Sequence, residues 1–537
     1  MVYELKLNLK KYIQPFERVL AYRELSALAG IKLDEQTLLM EGRATLMVQS
    51  SAPPADLASR LTYWESVQGV GGATVTLQSL RESTTNLVRN GIAIDDLRAK
   101  LPFGQDVPLP NRRCLRYGTH GIHEYRGKFF PQLVRSLINI SGIPVGGTVG
   151  DPMSGSGTTV VEAVLAGFQG RGLDMNPLSV RLGTAKASLL GASPYLLQKS
   201  YEQLRDELMA SELHNVSNRS YFKSLPTEDQ GYLTGWFSED VLDAMDEISM
   251  AISKVEDSHS RDLANIALSN IVRSVSWQKV DDLRVRKEVR FDIEIDPKKE
   301  FLEEIGRSVR AVLAFLLQNG TLTEADYQIK EGDARNCGQI WGQASMDIII
   351  TSPPYATALP YLDTDRLSLC YLGLLARPEH RNRDKSMIGN REVSESTRKS
   401  YWSKYVEDRD TLPISVSALI DKVANLNEGT EVGFRRKNLP ALLSKYFFDM
   451  KEVIAGMLVA LKPGRCAFVV VGNNHTIAGG QRVDIQTAKL LQDIAASIGF
   501  EVAEPLQMDM LVSRDIFKGN AMATEEILVF RKPQAVH

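Results

Sequence analysis

The run Asp347-Ile348-Ile349-Ile350-Thr351-Ser352-Pro353-Pro354-Tyr355 constrains the fold more than any other stretch of the chain. Consecutive β-branched apolar residues predict a strand buried on both faces, and so a largely parallel sheet covered by helices. The strand ends abruptly. Proline fixes its own φ, lacks an N–H and turns the residue before it away from helix. Two in succession make a stiff, extended turn just beyond the carboxyl end of the strand, where open α/β sheets bind ligands. Such a turn can hold the Ser352 hydroxyl and the Pro353 carbonyl at fixed positions and present the Tyr355 ring beside them. A planar substrate with an exocyclic amino group suits it, because oxygen acceptors grip the N–H bonds while the ring stacks.

A second stretch, Asp151-Pro-Met-Ser-Gly155-Ser-Gly157-Thr158-Thr159, follows a short strand and opens a helix. Its glycines let the backbone approach a ligand closely, and the helix N-terminus supplies free N–H groups. The terminal Gly-Lys-Ser/Thr of a phosphate loop is missing, and so is the third glycine of a dinucleotide fingerprint. A ligand bearing a carboxylate and a ribose fits better than a pyrophosphate. Gly170-Arg-Gly-Leu-Asp174 reads as the next strand, ending in an acid that can take both ribose hydroxyls. Tyr327-Gln-Ile-Lys-Glu-Gly332-Asp333 is a third strand, and Asp333 on its turn is placed to accept from the amino group of a bound adenine.

Alternation of such strands with helices predicts an α/β, doubly wound, mostly parallel Rossmann-like sheet. At 537 residues the chain has room for several domains. Residues 1–108 read as a small α+β N-terminal module: a first strand, a helix over 16–28, two short strands about a turn over 37–48, a helix over 55–67 and a strand over 73–77. Leu101-Pro-Phe-Gly-Gln-Asp-Val-Pro-Leu-Pro110 closes it as a linker. The sheet-forming core comprises 112–190 and 326–537. Between them, 191–325 has helical spacing and reads as a helical insertion, in which Tyr201, Tyr221, Tyr232 and Trp236 are expected in the core. Residues 377–440 lack sustained periodicity and read as a mobile substrate-facing loop or small subdomain. A helix over 446–461, capped by Lys462-Pro463-Gly464, precedes the last strands.

Composition excludes some classes. No apolar run approaches the roughly 20 residues of a membrane span, and the N-terminus alternates like a strand without a signal-peptide core. Cys114, Cys337, Cys370 and Cys466 lack CxxC spacing, so neither disulfides nor a structural zinc is expected, and a reducing, cytoplasmic setting is. His120 and His123 have no neighbouring carboxylate or cysteine to complete a metal set and read as solvated loop residues. With a net charge of −3, a nucleic-acid partner requires a local basic face. Gln278–Arg290, with Arg284, Arg286 and Lys287, is the candidate phosphate-contacting edge, though a solvated charged face is an equal reading.

Together, Asp151–Thr159 and Thr351-Ser-Pro-Pro-Tyr355 resemble the two signature motifs of S-adenosylmethionine-dependent amino-group DNA methyltransferases. His123-Glu-Tyr-Arg-Gly-Lys128-Phe129-Phe-Pro131 is similar to the cofactor-side segment that precedes the glycine motif in many members. The resemblance covers 112–180 and 326–375 well and 446–532 more loosely. It implies S-adenosyl-L-methionine as cofactor, with Asp151, Gly155 and Gly157 shaping the methionine pocket and Thr158 and Thr159 near its carboxylate. Asp174 would take the ribose, Asp333 the adenine, and Lys128 and Phe129 the cofactor's other side. It makes Ser352, Pro353, Pro354 and Tyr355 the catalytic turn, acting on a base flipped from double-stranded DNA. Ser before Pro-Pro-Tyr leans toward cytosine N4 over adenine N6. A restriction-modification or phage-defence setting follows, with possible partners from such systems, and one of the insertions would read the target. Two rival readings are a tRNA guanine-N2 methyltransferase, suggested by the N-terminal module, and a catalytically idle nucleic-acid-binding relative.

Overall fold

The buried apolar run at Met346–Thr351 forms a strand, and all 6 of its residues are buried. The computed structural model describes residues 2–125, 130–210, 218–279, 286–289, 295–356, 361–391, 393–428, 433–509 and 524–534. In chain order the strands are β1 (Tyr3–Leu9), β2 (Thr45–Ser50), β3 (Trp64–Gly69), β4 (Gly72–Val75), β5 (Thr148–Asp151), β6 (Gln169–Asp174) and β7 (Tyr327–Glu331). There follow β8 (Met346–Thr351), β9 (Leu461–Gly472), β10 (Asn474–Ala478), β11 (Gln481–Ile485), β12 (Glu501–Val502), β13 (Leu506–Asp509) and β14 (Thr524–Arg531).

The central sheet has the order β12-β14-β9-β8-β5-β6-β7, with β13 also paired to β14. From β9 to β7 every pairing is parallel, whereas β14 runs antiparallel to β9. Successive residues of β8 enter different cores. Ile348 and Ile350 join Val149, Phe468 and Val470 beneath the helix Pro131–Ser141. Ile349 joins Ala467, Val469 and Val471 beneath the helices Phe434–Ala460 and Thr487–Ile498. A strand covered on both faces has no polar side, which is why its sequence is a continuous apolar run.

The N-terminal residues build a separate antiparallel sheet, β2-β1-β3-β4, yet its apolar side chains belong to the same core as Ile348 and Ile350. Two sequence expectations fail here. Residues 37–48 are not two strands about a turn: a helix, Glu35–Glu41, precedes β2. Asp34 caps its start by accepting from the Thr37 N–H at 3.2 Å, and Gly42 at φ 60° ends it. The helix expected over 55–67 stops at Arg60, because Trp64–Gly69 is needed as β3 beside β1. The Pro-rich segment after it is anchored as well as connecting: Leu101 is buried, and the Phe103 N–H donates to Gln318 Oε1 at 2.8 Å.

Between β6 and β7 the described residues carry helices and one isolated bridge, Gln278 to Lys287. Tyr201, Tyr221, Tyr232 and Trp236 do pack against the core of this helical region. Residues 377–440 differ more. The described residues there form the helices Arg377–Ser386, Glu395–Asp408 and Ile414–Asn427 and the start of Phe434–Ala460. The first of these buries only His380, so it has no apolar stripe to betray it. Lys462-Pro463-Gly464 is no helix cap but the start of β9. The hairpin β10–β11 and the strand β13 were not anticipated.

Candidate active site

From β5 the chain builds outward in both directions, with β6 and β7 on one side and β8 and β9 on the other. Open α/β sheets bind ligands at such a switch point. Here the glycine turn leaves the end of β5 and the Pro-Pro turn leaves the end of β8, on neighbouring parallel strands.

A single carboxylate joins them. Asp151 accepts from Thr351 Oγ1 at 2.7 Å, from Thr159 Oγ1 at 2.7 Å and from the Met153 N–H at 3.1 Å. Burial pushes its carboxyl up to about 6, although all three donors favour the ionised form. Asp151 therefore acts as a brace between the two turns. Thr159 was expected near the cofactor carboxylate, but its hydroxyl is engaged by Asp151 and lies 3.3 Å from the Ile350 carbonyl.

The glycine turn needs its glycines. Gly155 has φ 49° and Gly157 φ 83°, and a Cβ on Gly157 would stand 2.7 Å from the Gly183 Cα. A Cβ on Gly155 would stand 3.0 Å from the Tyr125 ring, whose hydroxyl is 2.9 Å from Ser179 Oγ. Tyr125 thus covers the turn. Asp174, at the end of β6, accepts from the Gly155 N–H and the Asn176 N–H, each at 2.8 Å, and burial raises it to about 6. The Met175 N–H lowers it as well, and a carboxylate with about four acceptor sites still has room for a further donor. Thr158 is buried at the first position of the helix Thr158–Leu165, whose first-turn N–H groups have no intrahelical acceptor.

Asp333 lies beyond β7, but Arg335 already grips both its oxygens and also donates to Asp449 at 2.8 Å. An adenine amino group would have to share Asp333 with that guanidinium. Segments that follow the Pro-Pro turn wall this end of the rim. Arg383 donates to the Met175 carbonyl at 2.7 Å and pairs with Glu331, while Asn176 Nδ2 donates to Asp365 at 2.9 Å.

On the other side, Ser352 and Pro354 are half-buried, Pro353 is buried and Tyr355 is 36% exposed. The Tyr355 hydroxyl donates to Glu525 Oε1 at 2.8 Å. Asp151, Gly155, Gly157, Thr158, Thr159, Asp174 and Ser352–Tyr355 thus share one rim, with Asp333 at its β7 end. Lys128 and Phe129 lie outside the described residues, as do Arg284 and Arg290 of the basic stretch; Lys287 sits over the Trp277 ring at 4.8 Å. Sequence reasoning assigned no individual role to Tyr125, Thr351, Arg383 or Glu525, whose partners are remote in the chain. His120 and His123 are not solvated. Both are buried, with His120 Nε2 2.8 Å from Glu162 and His123 Nε2 3.2 Å from Ser269 Oγ. No group of three or more potential metal ligands occurs among the described residues.

This donor set fits S-adenosylmethionine. The glycine turn offers close backbone approach, and the Ser156 hydroxyl is buried there without a partner among the described residues. Asp151 and Asp174 end β5 and β6, and Asp333 stands on the turn just beyond β7.

Residues 123–206 match the family UPF0020, described as an RMKL-like methyltransferase domain, a span that holds the glycine turn and β6. The type II methyltransferase M.BsoBI of Geobacillus stearothermophilus is 23% identical, over 76% of this chain and 84% of that protein. The type II methyltransferase M.MvaI of Kocuria varians is 24% identical, over 66% of this chain and 77% of that one. A Thermus thermophilus protein complexed with S-adenosyl-L-methionine overlaps 38% of this chain and 55% of its own at 16% identity, with a TM-score of 0.19, too slight to carry an argument. Part of the chain thus matches a methyltransferase domain, and over most of its length the chain is similar to type II methyltransferases. The resemblance to the DNA methyltransferases, first carried by two motifs, stands.

Proposed function

We propose that the protein methylates an exocyclic amino group in double-stranded DNA at a specific sequence, cytosine N4 in preference to adenine N6, as the modification arm of a restriction or defence system. The observation that carries this reading is the Asp151–Thr351 hydrogen bond, 2.7 Å, because it fastens a cofactor turn and an amine-gripping turn to one rim. The type II methyltransferases among the relatives support DNA as the substrate. Ser in place of Asp or Asn before Pro-Pro-Tyr supports cytosine. The matching core is then the doubly wound methyltransferase sheet, with the N-terminal unit and the helical insertions as additions.

Bound S-adenosylmethionine supplies an electrophilic sulfonium methyl. Gly155, Gly157 and the first-turn amides of Thr158 and Thr159 would hold the methionine end, Asp174 the ribose, and Asp333 the adenine beside Arg335. Lys128 and Phe129, outside the described residues, would line the cofactor's other side. Ser352 and the Pro353 carbonyl would accept the two N–H bonds of the target amine and so orient its nitrogen for attack. Pro354 stiffens the turn, and the Tyr355 ring stacks on the extruded base. Holding the reacting atoms in line and excluding water is most of the catalysis, so no covalent intermediate on the enzyme is needed.

Tyr355→Ala and Ser352→Ala should lower methyl transfer at least 100-fold while leaving S-adenosylmethionine affinity within about twofold. The assay is labelled-methyl transfer to unmethylated duplex DNA, with RNA as control and nucleoside analysis of the product. Loss of cofactor binding together with transfer would relocate the site, and label in RNA alone would replace the substrate.

A further inference from the structure

The stacking tyrosine is held by more than its own turn. β9 and β14 are antiparallel neighbours, and Glu525 is the register partner of Gly472. Both meet the Tyr355 side chain. The phenol oxygen donates to Glu525 Oε1 at 2.8 Å, and a Cβ on Gly472 would lie 2.9 Å from the Tyr355 Cε1, so any larger residue there would push the ring aside. The ring thus rests on bare backbone at the end of β9 and is tied at its tip to the last strand. The residue is still 36% exposed, enough to offer a surface to a planar ligand.

We infer that Gly472 and Glu525 form a socket that sets the tilt of the Tyr355 ring, with Glu525 acting as a positioning residue for the target base. This rests on the reading of Tyr355 as the stacking residue. The physical reason for a socket is rotational freedom. A tyrosine following two prolines has a fixed backbone but a free χ1, and an exposed ring samples several rotamers. A hydrogen bond at the tip and a glycine floor leave one orientation, so the base meets a preformed surface and loses less ordering entropy on binding. Glu525 is half-buried. Burial also raises its carboxyl pKa, while the Tyr355 hydroxyl opposes that rise. The phenol donates to either protonation state, so the tie does not depend on ionisation of the acid.

The test is a double-mutant cycle on the full-length protein, with kcat, KM and cofactor affinity measured on duplex DNA. Flipping is followed by the fluorescence of a 2-aminopurine beside the target. Glu525→Ala and Tyr355→Phe should each lower kcat/KM roughly threefold to a hundredfold, the span from one neutral to one charge-assisted hydrogen bond. The double variant should be no worse than the worse single, because both remove the same contact. Glu525→Gln, whose amide oxygen still accepts, should stay within twofold of wild type. S-adenosylmethionine affinity should be unchanged throughout, which separates positioning from a general loss of structure. Gly472→Ala should reproduce the flipping defect with the hydrogen-bonding groups intact. Multiplicative losses in the double variant, or full activity in both singles, overturn the socket. If Tyr355→Ala itself retains activity, the stacking role falls. If Tyr355→Ala is inactive while Tyr355→Phe and Glu525→Ala match wild type, only the socket falls.

Discussion

Asp151 shows how much a single side chain can hold. It is 1% exposed, and its three donors come from the glycine turn, the helix behind it and the end of β8. Its folded pKa of about 6 lies above the ordinary aspartate value of 3.8, so the folded state binds this proton more tightly than the unfolded chain. A raised pKa contributes stability in full below the unfolded value, and that contribution is lost as pH climbs through the folded one. At about 1.4 kcal/mol per unit, the swing from pH 4 to pH 7.5 is on the order of 2–3 kcal/mol. Asp151→Asn removes the titration while adding a constant penalty for reorienting the two threonine hydroxyls. Urea unfolding of both proteins across that range should show wild type losing ground to the variant as pH rises. Parallel curves would mean that Asp151 does not titrate as its burial implies. The sequence placed acids at the ends of β5 and β6 correctly. What it could not reveal is that Asp151 is consumed as a brace, because its partner Thr351 lies 200 positions away.

At the scale of elements, the glycine turn and its helix make a sharper case than the strands. Gly157 and Gly167 bracket the helix Thr158–Leu165 with nearly the same backbone, φ 83° and φ 80°. Alanine at either position meets a left-handed penalty of about 1–2 kcal/mol. Beyond that the two differ: a Cβ at 167 meets nothing within 4 Å, while one at 157 stands 2.7 Å from the backbone of Gly183. Gly167→Ala should therefore lower stability by about 1–2 kcal/mol with cofactor affinity intact. Gly157→Ala should add roughly 1–3 kcal/mol of overpacking and also weaken S-adenosylmethionine binding at least tenfold. Equilibrium unfolding and calorimetric titration of the pair check this, and equal effects would show that φ strain alone matters. Elements were legible where burial writes a simple code. The strands β5, β6, β8 and β9 and the glycine helix are apolar throughout or end in a diagnostic turn. The helix Arg377–Ser386 was illegible because polar contacts hold it, Arg383 to Met175 and Arg335 to the Ser386 carbonyl among them. Residues 37–48 were misread because two caps, Asp34 and Gly42, outweigh a β-like composition.

Across the whole molecule, buried polar bolts tie the N-terminal unit and the helical insertion to the central sheet. Glu24 accepts from Asn139 Nδ2 at 3.1 Å, and Arg135 donates to the Ser59 carbonyl at 3.1 Å, both crossing from the first unit to the helix Pro131–Ser141. Arg81 reaches Asn319 Oδ1 at 3.2 Å and stands 5.8 Å over the Phe315 ring in the insertion. Glu162, fully buried on the glycine helix, accepts from Tyr117 at 2.7 Å, pairs with His120 at 2.8 Å and lies 3.6 Å from Arg135. Burial alone would raise its carboxyl, yet His120 and the Arg135 and Arg81 guanidiniums hold it below the usual range. Such a site stabilises the assembly only while every member is present. Removing one partner strands the others without compensation, at about 3–5 kcal/mol. Glu162→Ala should accordingly lower the melting temperature of the full chain, and scanning calorimetry should still record one transition, because the N-terminal unit and the sheet share an apolar core. Two separated peaks, with S-adenosylmethionine shifting only the second, would show instead that the N-terminal unit folds on its own and that the bolts merely dock it.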